Sequence, residues 1–256
     1  GNASNTGSNT YAGDHSGNDL ASGANENTFY GSYSGADVTT GDQNTFIGSL
    51  AGTLTTTSSQ NTAVGTDCFR QNTTGATNSA LGFEALRFNT TASNNTAVGS
   101  QSLKTNTTGA GNVALGALTL FSNTTASNNT AVGYGTLYSN TTGADNTAVG
   151  KYALDSNTTG ASNTSVGADA LQSNTTGTQN CAFGRAALEF NTTGSYNHAF
   201  GVALNSLTTG SYNVAIGKAA LNVLTTGGQN IAIGYQALVT ATTADDCTAV
   251  GAWALS

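Results

Sequence analysis

Asparagine is the residue whose type and spacing offer chemistry in this chain. One column of it holds Asn72, Asn89, Asn106, Asn123, Asn140, Asn157, Asn174 and Asn191, each inside Asn-Thr-Thr. That triplet is an acceptor sequence for N-linked sugar. Asn2, Asn94, Asn128 and Asn163 lie in four more such sequences. Two readings stand side by side. If sugars are attached, the column's side chains point into solvent along one edge and supply solubility. Otherwise Asn-Thr-Thr-Gly is turn chemistry, because Asn and Gly accept left-handed angles and Asn can bond its own backbone. The column is bounded by Thr55 before it and by Leu207, Leu224 and Ala241 after it.

A second column opens each repeat: Asn27, Asn44, Asn61, Asn78, Asn95, Asn112, Asn129, Asn146, Asn163, Asn180, Asn197, Asn213 and Asn230, giving way to Cys247. It reads as a structural amide ladder, each side chain bonding its equivalent one coil away. No sugar is expected on it, even at Asn163. Threonine pairs such as Thr73-Thr74, Thr90-Thr91 and Thr107-Thr108 also recur. Files of hydroxyls can order water, which raises ice binding as a minor alternative.

No catalytic, cofactor or metal residue can be nominated. His15 and His198 lie far apart without a ligand partner at metal spacing. Asp67, Glu84, Asp145, Asp155, Asp169 and Glu189 form no file, whereas a sugar hydrolase needs two facing carboxylates. No phosphate-binding loop with a Lys-Ser or Lys-Thr ending is present. Cys68, Cys181 and Cys247 are odd in number and unrelated in position, which is neither a disulfide framework nor a metal pattern. Cys68 stands in a column filled mostly by Ala and reads as a buried thiol. Trp253 reads as a cap over the open end of the last coil. The chain is therefore expected not to be an enzyme.

The elements that position these columns follow from one phrase, Asn-Thr-Ala-Val-Gly. Its glycines run from Gly31 to Gly201 in steps of 17, then to Gly217 after 16, then to Gly234 and Gly251; Gly13 precedes by 18. A fixed short period means stacked units that bury their apolar faces against each other. In the copy from Asn146 to Ser162, Thr147-Ala148-Val149 suits a strand and Asn157-Thr158-Thr159-Gly160 a turn. Lys151–Asp155 would tolerate one helical turn. Stacked helices need about 8–10 Å, however, while β-coils repeat every ~4.8 Å. The expected fold is all-β, a repeat β-solenoid with one coil per 17 residues; the alternative is a strand plus a short helical turn per coil. Residues 1–30 are expected to form irregular N-terminal coils and 31–256 the array. The coil between Gly201 and Gly217 lacks one residue, so a local irregularity with preserved strand register is expected there.

Composition narrows the function classes. Charged residues are only 7% of the chain and the net charge is −7, against about 25% charged in ordinary soluble chains. The scattered Lys and Arg argue against nucleic acid, which needs a basic stripe. No apolar run approaches the roughly 18 residues of a membrane span. Proline is absent, as suits long backbone ladders. Methionine is absent too, and the chain reads as a processed product or a segment of a longer one. Adjacent strand columns are both apolar: Phe29, Phe46, Ala63, Ala80, Ala97 beside Tyr30, Ile47, Val64, Leu81, Val98. Adjacent strand residues face opposite ways, so one column needs a second cover. Self-association is expected, as a homo-oligomer or a lateral or end-to-end filament.

Asn213-Val214-Ala215-Ile216-Gly217 and Asn230-Ile231-Ala232-Ile233-Gly234 resemble the coils of YadA-like trimeric autotransporter adhesin heads. Ile233-Gly234-Tyr235-Gln236-Ala237-Leu238 is similar to repeat regions of phage tail-fibre-like proteins. The resemblance implies a fibre that is extracellular or on a virion or cell surface, with no catalytic residue. The expected function is thus a structural shaft of an extracellular fibre, with or without sugars. An adhesin or tail fibre binding host-surface glycans is the alternative, and a polysaccharide-processing enzyme a remoter one.

Overall fold

The computed structural model describes residues 8–256; the Asn2 sequon lies outside them. Fifteen strands of three residues recur: β1 Thr10–Ala12, β2 Thr28–Tyr30, β3 Thr45–Ile47, β4 Thr62–Val64, β5 Ser79–Leu81, β6 Thr96–Val98, β7 Val113–Leu115, β8 Thr130–Val132, β9 Thr147–Val149, β10 Thr164–Val166, β11 Cys181–Phe183, β12 His198–Phe200, β13 Val214–Ile216, β14 Ile231–Ile233 and β15 Thr248–Val250. The chain divides into two compact units, Gly1–Asn128 with β1 to β7 and Asn129–Ser256 with β8 to β15. In each unit successive strands pair in parallel, one coil apart. Val98 lies beside Leu115 in the first unit and Val132 beside Val149 in the second. The fold is a parallel β-solenoid with one coil per 17 residues.

Three walls close each coil. The strand wall turns its middle residue inward: Ala148 is buried while Thr147 and Val149 are exposed. Gly150 then bends the chain at φ 132°. A Cβ there would stand 2.5 Å from the Gly167 carbonyl oxygen of the next coil. Positive φ and close approach of two backbones both demand glycine, which explains the period seen in the sequence.

The second wall, Lys151–Ser156, holds no helical turn, and no helix occurs among the described residues. The helical alternative is thereby corrected. Tyr152 and Leu154 sit instead at φ 57° and 53°. This aims the Tyr152 N–H at the Tyr134 carbonyl (3.1 Å) and the Leu154 N–H at the Ala170 carbonyl (3.1 Å), one on the preceding coil and one on the following. A helix would have spent those donors within its own coil. Left-handed geometry costs about 1–2 kcal/mol per residue outside glycine. Inter-coil bonds and complete burial of Leu154 offset it. The third wall, Asn157–Ser162, returns to the strand, with Thr158 N–H on Thr175 O at 2.9 Å and Ser162 N–H on Ala144 O at 3.0 Å.

The interior is filled by residues from opposite walls that trade volume. In most coils the strand wall gives Ala and the second wall gives Leu, as with Ala148 and Leu154. In the coils of β2 and β3 the order is reversed: Phe29 opposes Gly35 and Phe46 opposes Gly52. A Cβ on Gly52 would lie 2.5 Å from the Phe46 ring, and one on Gly35 2.8 Å from the Phe29 ring. The next coil returns to Ala63 with Phe69.

The coil between Gly201 and Gly217 is irregular, as its missing residue predicts. Gly201 relaxes to φ 96°, and the coil keeps Leu204 at positive φ but has no equivalent of Tyr152. Register survives, with His198 beside Val214 and Phe200 beside Ile216.

Candidate functional site

The opening asparagines form a buried amide file in each unit. Asn163 shows the pattern: its backbone N–H and its Nδ2 both donate to Asn146 Oδ1, at 2.9 and 3.1 Å, and Nδ2 also donates to the Gly177 carbonyl at 2.9 Å. The carboxamide is fully used, and Asn163 is completely buried. Asn44, Asn61 and Asn78 repeat the arrangement in the first unit, and Asn180, Asn213 and Asn230 in the second. Where Cys247 replaces asparagine, its backbone N–H still donates to Asn230 Oδ1 at 3.0 Å.

The Asn-Thr-Thr asparagines do not face solvent, the orientation tied to attached sugars; they follow the other reading, turn chemistry. All eight are completely buried. Asn157 Nδ2 donates to Asn140 Oδ1 at 2.8 Å and to the Gly160 carbonyl three residues on at 2.9 Å. Asn106 does the same with Asn89 and Gly109. The inward direction is set by the turn, because the amide must reach back to the backbone that bends around it. Within each unit these side chains donate to the asparagine of the preceding coil, Asn89, Asn106 and Asn123 in the first and Asn157, Asn174 and Asn191 in the second, so each file is a head-to-tail chain of aligned dipoles. Thr55 Oγ1 in the first unit and Asn191 Oδ1 in the second are buried without a hydrogen-bond partner.

Of the remaining sequons, Asn163 is buried, while Asn94 and Asn128 are exposed at the corner before the strand. Asn94 Oδ1 accepts from Thr77 Oγ1. The paired threonines split in role. Thr158 Oγ1 donates to the Thr175 carbonyl at 3.0 Å, and Thr73, Thr90 and Thr175 repeat this bond. The second of each pair, such as Thr74 or Thr159, is exposed.

The outward face of the strands is the other regular surface. On β8 to β10 its two files are Thr130, Thr147, Thr164 and Val132, Val149, Val166. On β11 to β14 the threonine file gives way to Cys181, His198, Val214 and Ile231, beside Phe183, Phe200, Ile216 and Ile233. The Phe183 and Phe200 rings stack at 5.3 Å and 3°; Tyr196 and Tyr212, at the adjoining corner, stack at 4.8 Å and 7°. Sequence reading found the apolar column but not which of its two faces stays uncovered, since that depends on which strand residue points inward.

Titratable groups are few and largely committed. Burial opposes ionisation of Glu84, but Lys104 (2.7 Å), Gln101 (2.8 Å) and Arg87 together outweigh it and hold its carboxyl below the usual range. Arg70 pairs with Asp67 at 3.0 Å. Burial pushes the Cys68 thiol up to about 12; its Sγ donates to the Ala80 carbonyl, so it is an inert packing group. His15 stacks on Tyr33 at 4.7 Å. Among the described residues no three His, Cys, Asp or Glu side chains gather as a metal site. Trp253, in the last coil, is exposed and meets Tyr235 edge-on at 5.3 Å. A cavity of about 480 Å³ borders Tyr11–Asn18, where the first described coil opens. No helix is long and apolar enough to cross a membrane. No protein-family model matches the chain, and no curated protein matches it.

Proposed function

We propose that the chain is a structural shaft of an extracellular fibre, without catalysis, on a cell or virion surface. One observation carries this reading: the buried amide side chains of the coils are spent on neighbouring coils. Amides that could bind a ligand are buried and paired coil to coil. Such an array adds length and stiffness with each repeat. The resemblance to adhesin heads and tail-fibre repeats supports the same placement. Self-association and any sugar decoration belong to this proposal. Among the described residues sugars, where attached, sit on Asn94 and Asn128, because a glycan on a ladder asparagine would break two hydrogen bonds and fill a packed coil.

A glycan-binding adhesin is the second reading, favoured by exposed Tyr235 and Trp253, whose edge-on contact leaves a ring face open. Deleting whole coils, such as residues 146–162, separates the two. A shaft shortens by about 4.8 Å per coil in electron micrographs and attachment persists. If attachment falls with each deleted coil while fibre length is unchanged, the shaft reading is wrong.

A further inference from the structure

We propose that the outward strand face of the second unit, centred on β11 to β14, docks a second copy of this chain, sheet against sheet. This deepens the self-association in the shaft reading and names its surface. Four observations carry it.

On β11 to β14 the face is apolar on both files apart from His198. Phe183, Phe200, Ile216, Ile231 and Ile233 are each more than a third exposed, an apolar concentration that marks interaction surfaces. The twelve residues of these four strands include no Lys, Arg, Asp or Glu, and His198 is the one basic side chain among them, so burying them desolvates no permanent charge.

Ring orientation selects the partner's chemistry. Phe183 and Phe200 lie almost parallel, as do Tyr196 and Tyr212, each pair stacked across neighbouring coils. Their faces are turned toward each other and their edges outward. Sugars and nucleic-acid bases pack on ring faces, which this face does not offer. Ring edges and isoleucine methyls instead make a ridged apolar surface.

Pitch selects a second copy among apolar partners. The ridges repeat at the spacing of paired parallel strands, about 4.8 Å. Another copy has the same ridge spacing, so every ridge meets a groove, as in two packed sheets about 10 Å apart.

Area sets the strength. Each three-residue strand presents about 10 Å by 4.8 Å, so the eight strands of this unit present about 400 Å², half of the ~800 Å² a standard interface takes from each partner. Association is therefore weak and concentration-dependent, with the Phe and Ile cluster at its centre.

Sedimentation analysis of the intact chain from about 1 μM to about 1 mM tests this. A monomer–dimer equilibrium is expected within that range. Phe200→Asp and Ile216→Asp should each weaken it at least tenfold, while Thr159→Asp, on the third wall, should leave it unchanged. Circular dichroism checks that each variant keeps the wild-type strand spectrum, and Phe200→Ser replaces any that does not. A chain monomeric throughout overturns the proposal, as does equal weakening by Thr159→Asp. A monomer that binds dextran or a chitin oligosaccharide through Phe200 would give the face to sugar and overturn it as well. Coil deletions that shorten fibres would leave the shaft reading standing even then.

Discussion

The coils of β2 and β3 and the coils of the second unit solve one packing problem in opposite ways. In the first, a phenylalanine from the strand wall fills the coil and the second wall withdraws to glycine, as with Phe46 and Gly52. In the second, the strand wall withdraws to alanine and a leucine fills the coil, as with Ala148 and Leu154. Backbone path, strand register and coil-to-coil hydrogen bonds are retained in both. The repeat therefore specifies a backbone and a total volume; the wall that supplies the volume is free. Interiors are close-packed, so the trade must be made within a single coil.

The largest effect should come from attacking what the two regions share. Gly150→Ala places a Cβ 2.5 Å from the next coil's carbonyl oxygen and forces an L residue to φ 132°. A loss of more than about 4 kcal/mol in urea unfolding is expected, the range reserved for severe backbone and packing faults. A variant within about 0.5 kcal/mol of wild type would break the claim that the backbone is the conserved quantity.

Next comes the exchange itself. Phe46→Ala should cost about 3–5 kcal/mol through the cavity it leaves. Gly52→Leu should cost about 1–3 kcal/mol or more by overfilling a coil that still holds Phe46. Combined, they recreate the Ala–Leu coil, and most of the loss should return. The double-mutant cycle should show coupling of at least ~2 kcal/mol. Simple additivity would mean that the two walls do not share one volume.

A smaller effect distinguishes the middle of the inner asparagine file from its ends. Asn157→Leu removes the donor to Asn140 Oδ1 and the acceptor of Asn174 Nδ2, at a cost of about 1–3 kcal/mol. Asn191→Leu merely ends the file one coil earlier. Asn191 Oδ1 already lacks a partner, and the next coil already carries Leu207. Thermal unfolding should place this variant within about 1 kcal/mol of wild type. Equal losses at both sites would mean that the file has no cooperative direction.

The sequence made the coil legible because glycine, asparagine and the strand phrase recur at a spacing that only a stacked array satisfies. The missing residue after Gly201 likewise announced its own irregularity. Two features were hidden. Left-handed Leu154 and Tyr152 carry no composition signal, since both residues are ordinary helix or strand formers and only the coil pitch forces the conformation. The direction of Asn157 was equally hidden, because a sequon and an inward Asx turn are spelled the same way. What could have settled it is the column's replacement by Leu207 and Leu224, residues suited to a buried site.

That ambiguity sets the last comparison, between Asn157 inside the coil and Asn94 at its corner. Both stand in acceptor sequences, but only Asn94 is exposed. Glycosyl transfer acts on an accessible asparagine, and a sugar on Asn157 would displace its bonds to Asn140 and Gly160. A chain folded in the presence of a glycosylating system should therefore carry no sugar on the eight inner asparagines or on Asn163. Any added mass should vanish in the Asn2→Gln, Asn94→Gln, Asn128→Gln triple variant, and the Asn2→Gln single variant should remove only what Asn2 carries. Intact-mass measurement with and without glycosidase reads this directly. Sugar retained on Asn157 in a chain with the wild-type strand spectrum would show that a coil can open its amide file without unfolding. The file would then be decoration, and the volume exchange between walls would be the only rule holding the interior.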